Sequence, residues 1–202
     1  MTATWRATEK ANRRELYLKS AARLFAERGF SGVSIDELGD AAGVSGPALY
    51  RHFAGKEAIL TELLVNASER LVTGCETILA ASASLEETSI DTLHNLVNFH
   101  IDFALSERDV IKTQERELAR LPAQANHTVR ALQRRYVQSW SGVLSETRPE
   151  FTPREIDVRV LGVFGLLNST PFSARAQDGA RVRQIFAEMA MAALAGELLP
   201  RQ

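Results

Sequence analysis

Tyr50, Arg51 and His52 stand in a row, with Lys56 four residues further on. A phenol, a guanidinium, an imidazole and an ammonium are groups that bond phosphate oxygens and the edges of bases. The stretch that must position them is residues 33–53, V-S-I-D-E-L-G-D-A-A-G-V-S-G-P-A-L-Y-R-H-F. Ser34 followed by Glu37 forms a capping box and predicts a helix start. Ile35, Leu38 and Ala42 share one face of that helix, and Gly43 stops it by accepting a left-handed backbone. Val44 pins the turn, Ser45 is placed to cap a second helix, and Pro47 falls in its first turn. Leu49 and Phe53 point inward, which leaves Gly46, Ala48, Tyr50, Arg51 and His52 outward. Two short helices about a Gly-containing turn, the second with a polar-aromatic outer face, read as a helix-turn-helix.

The flanking elements fit that role. Residues 12–28 predict a first helix with Tyr17, Leu18, Ala21, Leu24 and Phe25 as its buried stripe, ended by Gly29 and Phe30. Residues 1–11 read as a loose arm in which Trp5 and Arg6 touch DNA or nothing. A further helix opens after Gly55 and runs to about residue 81, roughly 40 Å at 1.5 Å per residue. Lys56 at its start makes an expected phosphate contact.

Charge supports the division. Residues 1–56 hold nine Lys and Arg against six acids, a balance of +3, whereas the rest of the chain carries −4, for a net charge of −1 over 202 residues. A basic front on a mildly acidic body suits a DNA-reading domain, 1–56, joined to a second domain, 57–202. Hydrophobic residues make up 45% and charged residues 24%, ordinary for a soluble globular protein with a substantial core. The lone cysteine, Cys75, fits a reducing cytoplasm and a buried structural thiol. The first residues lack the apolar core of a signal peptide, and no apolar run approaches the length of a membrane span.

Residues 12–63 resemble the N-terminal domain of the TetR/AcrR family of bacterial transcriptional regulators. The likeness is carried by A-A-R-L-F-A-E-R-G-F (21–30), V-S-I-D-E-L-G-D-A-A-G-V-S (33–45) and L-Y-R-H-F-A-G-K-E-A-I-L (49–60). It implies an all-α homodimer on a palindromic operator in double-stranded DNA, and repression relieved by a small ligand. By position it places Ser34, Ser45, Pro47, Ala48, Tyr50, Arg51, His52 and Lys56 at the DNA. Gly46-Pro47-Ala48 read few bases, so specificity rests on Arg51, Tyr50, contact of Ala48 with a thymine methyl, and DNA shape.

The remainder predicts a larger helical ligand-binding and dimerisation domain, giving about nine helices in all. Ser84 with Glu87 reads as a capping box for a fifth helix whose inner stripe is Leu93, Leu96, Val97, His100, Phe103 and Ala104. His100 on that apolar face is either a hydrogen-bonded core histidine or a ligand contact. His94 and His100 do not share a face, so no metal site is expected. Residues 109–121 form a short polar helix broken by Pro122. The next buries Val129, Leu132, Tyr136, Trp140, Val143 and Leu144, with Arg130, Arg134 and Arg135 on a solvated face or at the mouth of an anionic-ligand site. Thr152-Pro153-Arg154-Glu155 starts a helix that is apolar nearly all round, and a last helix follows Pro171 and a short loop. Leu161 and Phe164 from the former, with Val182, Ile185, Phe186 and Met189 from the latter, are the expected dimer face.

The functional expectation is therefore a ligand-responsive repressor with no cofactor. Phe99, His100, Phe103, Tyr136, Trp140, Phe164 and Asn168 are the candidate lining for a small hydrophobic ligand, acyl-CoA or lipid-derived. An enzyme is disfavoured, since there is no Gly-rich phosphate loop, Cys/His metal spacing or serine elbow. An activator or a ligand-independent DNA-binding protein is the alternative, separable by thermal shift with a metabolite panel.

Overall fold

The structure is a computed structural model that describes residues 2–173 and 179–196, with the side chains of residues 2–8 and 10 left out. The loop expected after Pro171 falls largely outside the described residues. Among the described residues ten α-helical segments follow one another: α1 (Thr2–Arg28), α2 (Ile35–Ala41), α3 (Gly46–Leu49), α4 (Lys56–Ser84), α5 (Ser89–Ser106), α6 (Arg108–Glu117), α7 (Ala123–Thr147), α8 (Pro153–Asn168), α9 (Thr170–Ser173) and α10 (Gly179–Ala195). A 3-10 turn, Leu118–Arg120, links α6 to α7. The all-α expectation holds, and α9 is a four-residue turn that carries α8 past Ser169.

The chain forms two compact units, and their division differs from a cut after residue 56. The first comprises residues 1–67 and 109–129; the second comprises 68–108 and 130–202. The breaks fall inside α4, after the first residue of α6, and inside α7. The reason α6 joins the front unit is local chemistry. Thr113 Oγ1 donates to the Ala22 carbonyl (3.3 Å), Arg116 donates to the Ala26 carbonyl (3.2 Å), and the Phe30 amide donates to Glu117 Oε1 (3.0 Å). Val110, Ile111, Thr113 and Glu117 are buried, so a helix that reads as polar carries a packed face.

The core of the front unit forms where Tyr17, Ala21, Leu24 and Phe25 of α1 come out buried, together with Leu38, Leu49, Phe53, Ile59, Leu60 and Leu64. Full burial of a side chain of this size is worth about 1.5–3 kcal/mol. Gly29 at φ 75° ends α1 and Gly43 at φ 70° follows α2, both with the left-handed backbone that glycine accepts. The first helix starts at Thr2, not near residue 12, so the expected loose arm is helix. Its composition of Ala, Arg, Lys and Glu favours that state, and Glu9 pairs with Arg13 one turn on (2.8 Å).

The second unit is built on α5, with α10 and α8 packed against it and against each other. Leu93, Leu96, Val97, Ile101, Trp140, Leu144, Val160, Val163, Leu167, Ala190 and Leu194 form its centre. The Thr152–Glu155 capping box is present in full. The expected Ser84–Glu87 box is not: Ser84 is still inside α4, its hydroxyl bonded back to the Ala80 carbonyl (2.9 Å). Thr88 caps α5 instead, accepting from the Asp91 amide, and Glu87 accepts from Ser82 and Asn95. The Ala- and Ser-rich end of α4 sustains another turn before Glu86, at φ 53°, breaks it.

Candidate DNA-contact surface and sensor core

α3 is short, but it is continued by turns in which the Arg51, His52 and Phe53 amides bond the Ala48 and Leu49 carbonyls. Such a segment cannot hold its own shape, so its neighbours must. Two glycines set the approach of α2 to α3. A Cβ on Gly39 would sit 2.8 Å from the Gly46 amide nitrogen and the Val44 carbonyl oxygen, and one on Gly46 would sit 2.0 Å from Asp36 Oδ1. Beneath α3, Arg14 of α1 forms an ion pair with Glu62 of α4, donates to the His52 carbonyl (2.6 Å), and lies 4.2 Å over the Phe53 ring. The carboxylate raises the already high pKa of that guanidinium. Tyr17 packs edge-on to both His52 and Phe53.

The outer surface that results is smaller than the sequence pattern implies. Ser45, Pro47, Tyr50 and Arg51 are exposed, Tyr50 at 57%, and Ala48 is half-buried. Ser45 occupies the N-cap with extended backbone but makes no side-chain cap bond. Ser34, also exposed, does cap: its hydroxyl accepts from the Glu37 amide and donates to Glu37 Oε2 (2.8 Å). Bonds from Ser34, aided by Arg28 at 2.7 Å, hold the Glu37 carboxyl down at about 2.

Gly46 and His52, expected to face outward, do not, and Lys56, the expected phosphate contact, turns inward. Gly46 is buried because its missing side chain admits Asp36. His52 is half-buried because its ring seats on Tyr17. Lys56 turns back on the chain: its Nζ donates to the Phe30 and Val33 carbonyls, each at 2.7 Å, and lies 4.3 Å over the Phe30 ring. It clamps the α1–α2 turn through two of its carbonyls and one of its rings. Sequence reasoning passed over Arg14, Glu62 and Glu117, since their partners lie 38 to 87 residues away.

In the second unit, His100, Tyr136, Trp140 and Phe164 gather into one aromatic cell. The His100 and Tyr136 rings lie side by side (5.8 Å, 25°) and Phe164 covers both, 5.2 Å from one and 5.3 Å from the other. The Trp140 indole stands across them at 87°, 63° and 71° to His100, Tyr136 and Phe164. Phe103 touches the edge of the cell, 6.3 Å from His100. Phe99 lies instead against Gly74, where a Cβ would meet its ring.

A polar chain threads the cell. His100 Nε2 faces Asn168 Oδ1 (3.1 Å) and Nδ1 faces the Tyr136 hydroxyl (3.1 Å). An amide oxygen can only accept, so Nε2 carries the proton, and the Tyr136 hydroxyl donates to Nδ1. Burial drives the His100 pKa down to about 4, against the Asn168 bond, so the ring is neutral. Burial also raises the Tyr136 pKa, so the phenol stays protonated. The buried Trp140 indole N–H interacts with the Tyr136 hydroxyl, which works to lower the phenol's pKa against burial. Cys75 is buried nearby with its thiol pushed up to about 11 by burial, as an inert structural thiol requires. Arg130, Arg134 and Arg135 are exposed, and Arg135 pairs with Glu76, which fits a solvated face.

On α8 and α10 the expected dimer residues divide. Leu161, Ile185 and Met189 are exposed, beside Val158. Phe186 is core, Val182 packs against the core, and Phe164 belongs to the aromatic cell. α10 has two apolar faces, of which Phe186, Ala190 and Leu194 form the inner one.

Comparison with known proteins agrees with this arrangement. The family model "Bacterial regulatory proteins, tetR family" matches residues 18–63, and "Tetracyclin repressor-like, C-terminal domain" matches residues 86–194. The HTH-type transcriptional repressor KstR2 of Rhodococcus jostii (strain RHA1) is 29% identical over 167 residues, covering 82% of this chain and 79% of that protein. A TetR-family transcriptional regulator from Bordetella parapertussis 12822 superposes with a TM-score of 0.81 at 23% identity, over 93% of this chain and 98% of that one. The ketosteroid transcriptional regulator KstR2 of Mycobacterium tuberculosis gives 0.78 at 22% identity, over 92% and 96%. With a reading helix braced from three sides, a separate helical body, and family models spanning both, the chain belongs to the TetR/AcrR family of DNA-binding transcriptional regulators.

Proposed function

We propose that the protein is a repressor that binds a palindromic operator as a homodimer and is released by a small hydrophobic ligand. The observation that carries the DNA face is the exposure of Ser45, Pro47, Tyr50 and Arg51 on a segment immobilised by Arg14, Tyr17 and Gly39. Arg51 reads a base edge, Tyr50 and the Ser45 hydroxyl bond phosphates, and Ala48 meets a thymine methyl. Ser34 adds at most a backbone-positioning contact, since its hydroxyl is committed to its cap.

Dimerisation is proposed through α8 and α10, whose outer faces carry Val158, Leu161, Ile185 and Met189. These residues recur at helical spacing on two helices that pack together, so a second copy would complete a four-helix interface. It would set the two reading segments about 34–36 Å apart, one turn of DNA.

The ligand is proposed to enter the body at the aromatic cell. Phe103, His100, Tyr136, Trp140, Phe164 and Asn168 line it, and Phe99 stands outside. Apolar lining with few polar groups suits a lipid-derived molecule, acyl-CoA among them. Binding would favour a body conformation in which α4 is displaced and the reading segments no longer match the operator. The shift extends only as far as the ligand prefers that conformation.

The test is selection of bound duplexes from a random pool, followed by anisotropy with Arg51→Ala. Arg51→Ala is expected to relax base preference at one position per half-site, costing about 1–3 kcal/mol there. Equal loss on every sequence would reduce Arg51 to a phosphate contact.

A further inference from the structure

The end of α1 is a helix terminus that another helix closes. One more helical turn would have joined the Phe30 amide to the Ala26 carbonyl. Gly29, at φ 75°, turns the chain aside at that point. Consecutive residues of α6 take up both groups. Arg116 donates to the Ala26 carbonyl (3.2 Å), and Glu117 Oε1 accepts from the Phe30 amide (3.0 Å). One turn earlier on each helix, Thr113 Oγ1 donates to the Ala22 carbonyl (3.3 Å). A donor meets each acceptor that α1 offers, and an acceptor meets the donor.

The approach is close. A Cβ on Gly29 would meet Arg116 Nη2 at 3.1 Å and Glu117 Oε1 at 3.3 Å, so this glycine serves both through its backbone and through its missing side chain. Thr113 and Glu117 are buried, and the second Glu117 oxygen pairs with Arg120 (2.7 Å). Burying a carboxylate is costly, and these two partners offset the cost.

What Glu117 holds is the entry to the reading segment. Phe30 is held from both sides, its amide by Glu117 of α6 and its carbonyl by Lys56 of α4, which also takes the Val33 carbonyl. Ser34, the next residue, caps α2. α2 meets α3 across Gly39, where backbone atoms 2.8 Å away exclude a Cβ. A displaced Phe30 therefore shifts the start of α2, and α3 with it. The bond from Phe30 to Glu117 is charge-assisted, the stronger kind.

We infer that Glu117 of α6 is a positioning residue for DNA recognition, which fixes the entry of α2 through the Phe30 amide and so the angle at which α3 meets DNA. This rests on the reading of α3 and the turns after it as the DNA-contact surface.

The test is fluorescence anisotropy on the full chain with two duplexes: one selected by the wild type from a random pool, and a scrambled version of it. Glu117→Leu is expected to lower affinity for the selected duplex at least about tenfold, with the scrambled duplex within about twofold and the salt slope unchanged, because no phosphate contact is lost. Glu117→Gln keeps an amide oxygen for the Phe30 N–H and should hold the selected duplex within about threefold of wild type. Exchange of the Phe30 amide, read by NMR, should quicken in Glu117→Leu and not in Glu117→Gln. Equal loss on both duplexes would assign Glu117 to folding alone and overturn the inference. Should Glu117→Leu fail to fold, Arg116→Met, at an exposed position, decides: it should lower selected-duplex affinity about threefold, and an unchanged preference would overturn the inference. Arg51→Ala is the control. Lost preference there with none lost in Glu117→Leu would overturn the inference and leave the DNA face standing. A wild type that selects no duplex, or indifference of both variants, would overturn both.

Discussion

Replacing His100 by Asn should remove most of the pH dependence of stability between pH 6.5 and 4. The imidazole is 2% exposed and held neutral by burial, with its pKa moved from 6.5 to about 4. The unfolded chain therefore binds this proton more tightly than the folded chain does. Stability from His100 is full above about pH 6.5 and falls as the pH drops towards 4. Each tenfold change in proton affinity is worth about 1.4 kcal/mol, so the gap amounts to about 3 kcal/mol, with about half of it lost by pH 5.5. Glu37, held at about 2, acts in a lower window, from about pH 4.5 down, and does so equally in both proteins. Urea denaturation followed by tryptophan fluorescence and circular dichroism at pH 7, 5.5 and 4.5 gives the two curves. The wild type should lose about 2–3 kcal/mol more than His100→Asn over that range. Parallel losses in the two proteins would refute the neutral, buried imidazole.

Three further outcomes follow from the geometry. Gly39→Ala pushes a Cβ to 2.8 Å from backbone atoms of Val44 and Gly46, so it should cost about 1–3 kcal/mol and abolish specific DNA binding measured by anisotropy. Normal binding by a normally folded variant would mean that the α2–α3 approach is not fixed. Lys56→Met removes two carbonyl contacts and should lower front-unit stability by about 1–3 kcal/mol in hydrogen exchange. Its effect on DNA affinity should leave the salt slope unchanged; a slope smaller by about one would restore Lys56 as a phosphate contact. Leu161→Glu with Met189→Glu places charges on the outer faces of α8 and α10 and should yield monomers in sedimentation equilibrium. Persisting dimers would move the interface elsewhere.

What the sequence made legible was local. The capping boxes at Ser34–Glu37 and Thr152–Glu155, and the ends of helices at Gly29 and Gly43, are decided within a few residues, and all appear in the structure. The stripes of α1, α5 and α7 were equally plain, because period 3.6 separates one buried face from a polar one. Reading failed where direction depends on distant partners. Nothing near Lys56 announces that Phe30 and Val33 will receive its ammonium, nor does residue 46 reveal Asp36 beside it. α10 defeated the same method for another reason: two adjacent apolar faces have one period, and only packing tells Phe186 from Met189. The aromatic cell lay half in view. Its members could be named, but not the order of their hydrogen bonds.

The most direct measurement is the sequence and spacing of duplexes retained by the purified protein from a random pool at low salt. The account predicts an inverted repeat with half-site centres about 10 base pairs apart, and loss of the preference within each half-site when Arg51 is replaced by Ala. Retention of no duplex, or of a single half-site without its inverted partner, would contradict it.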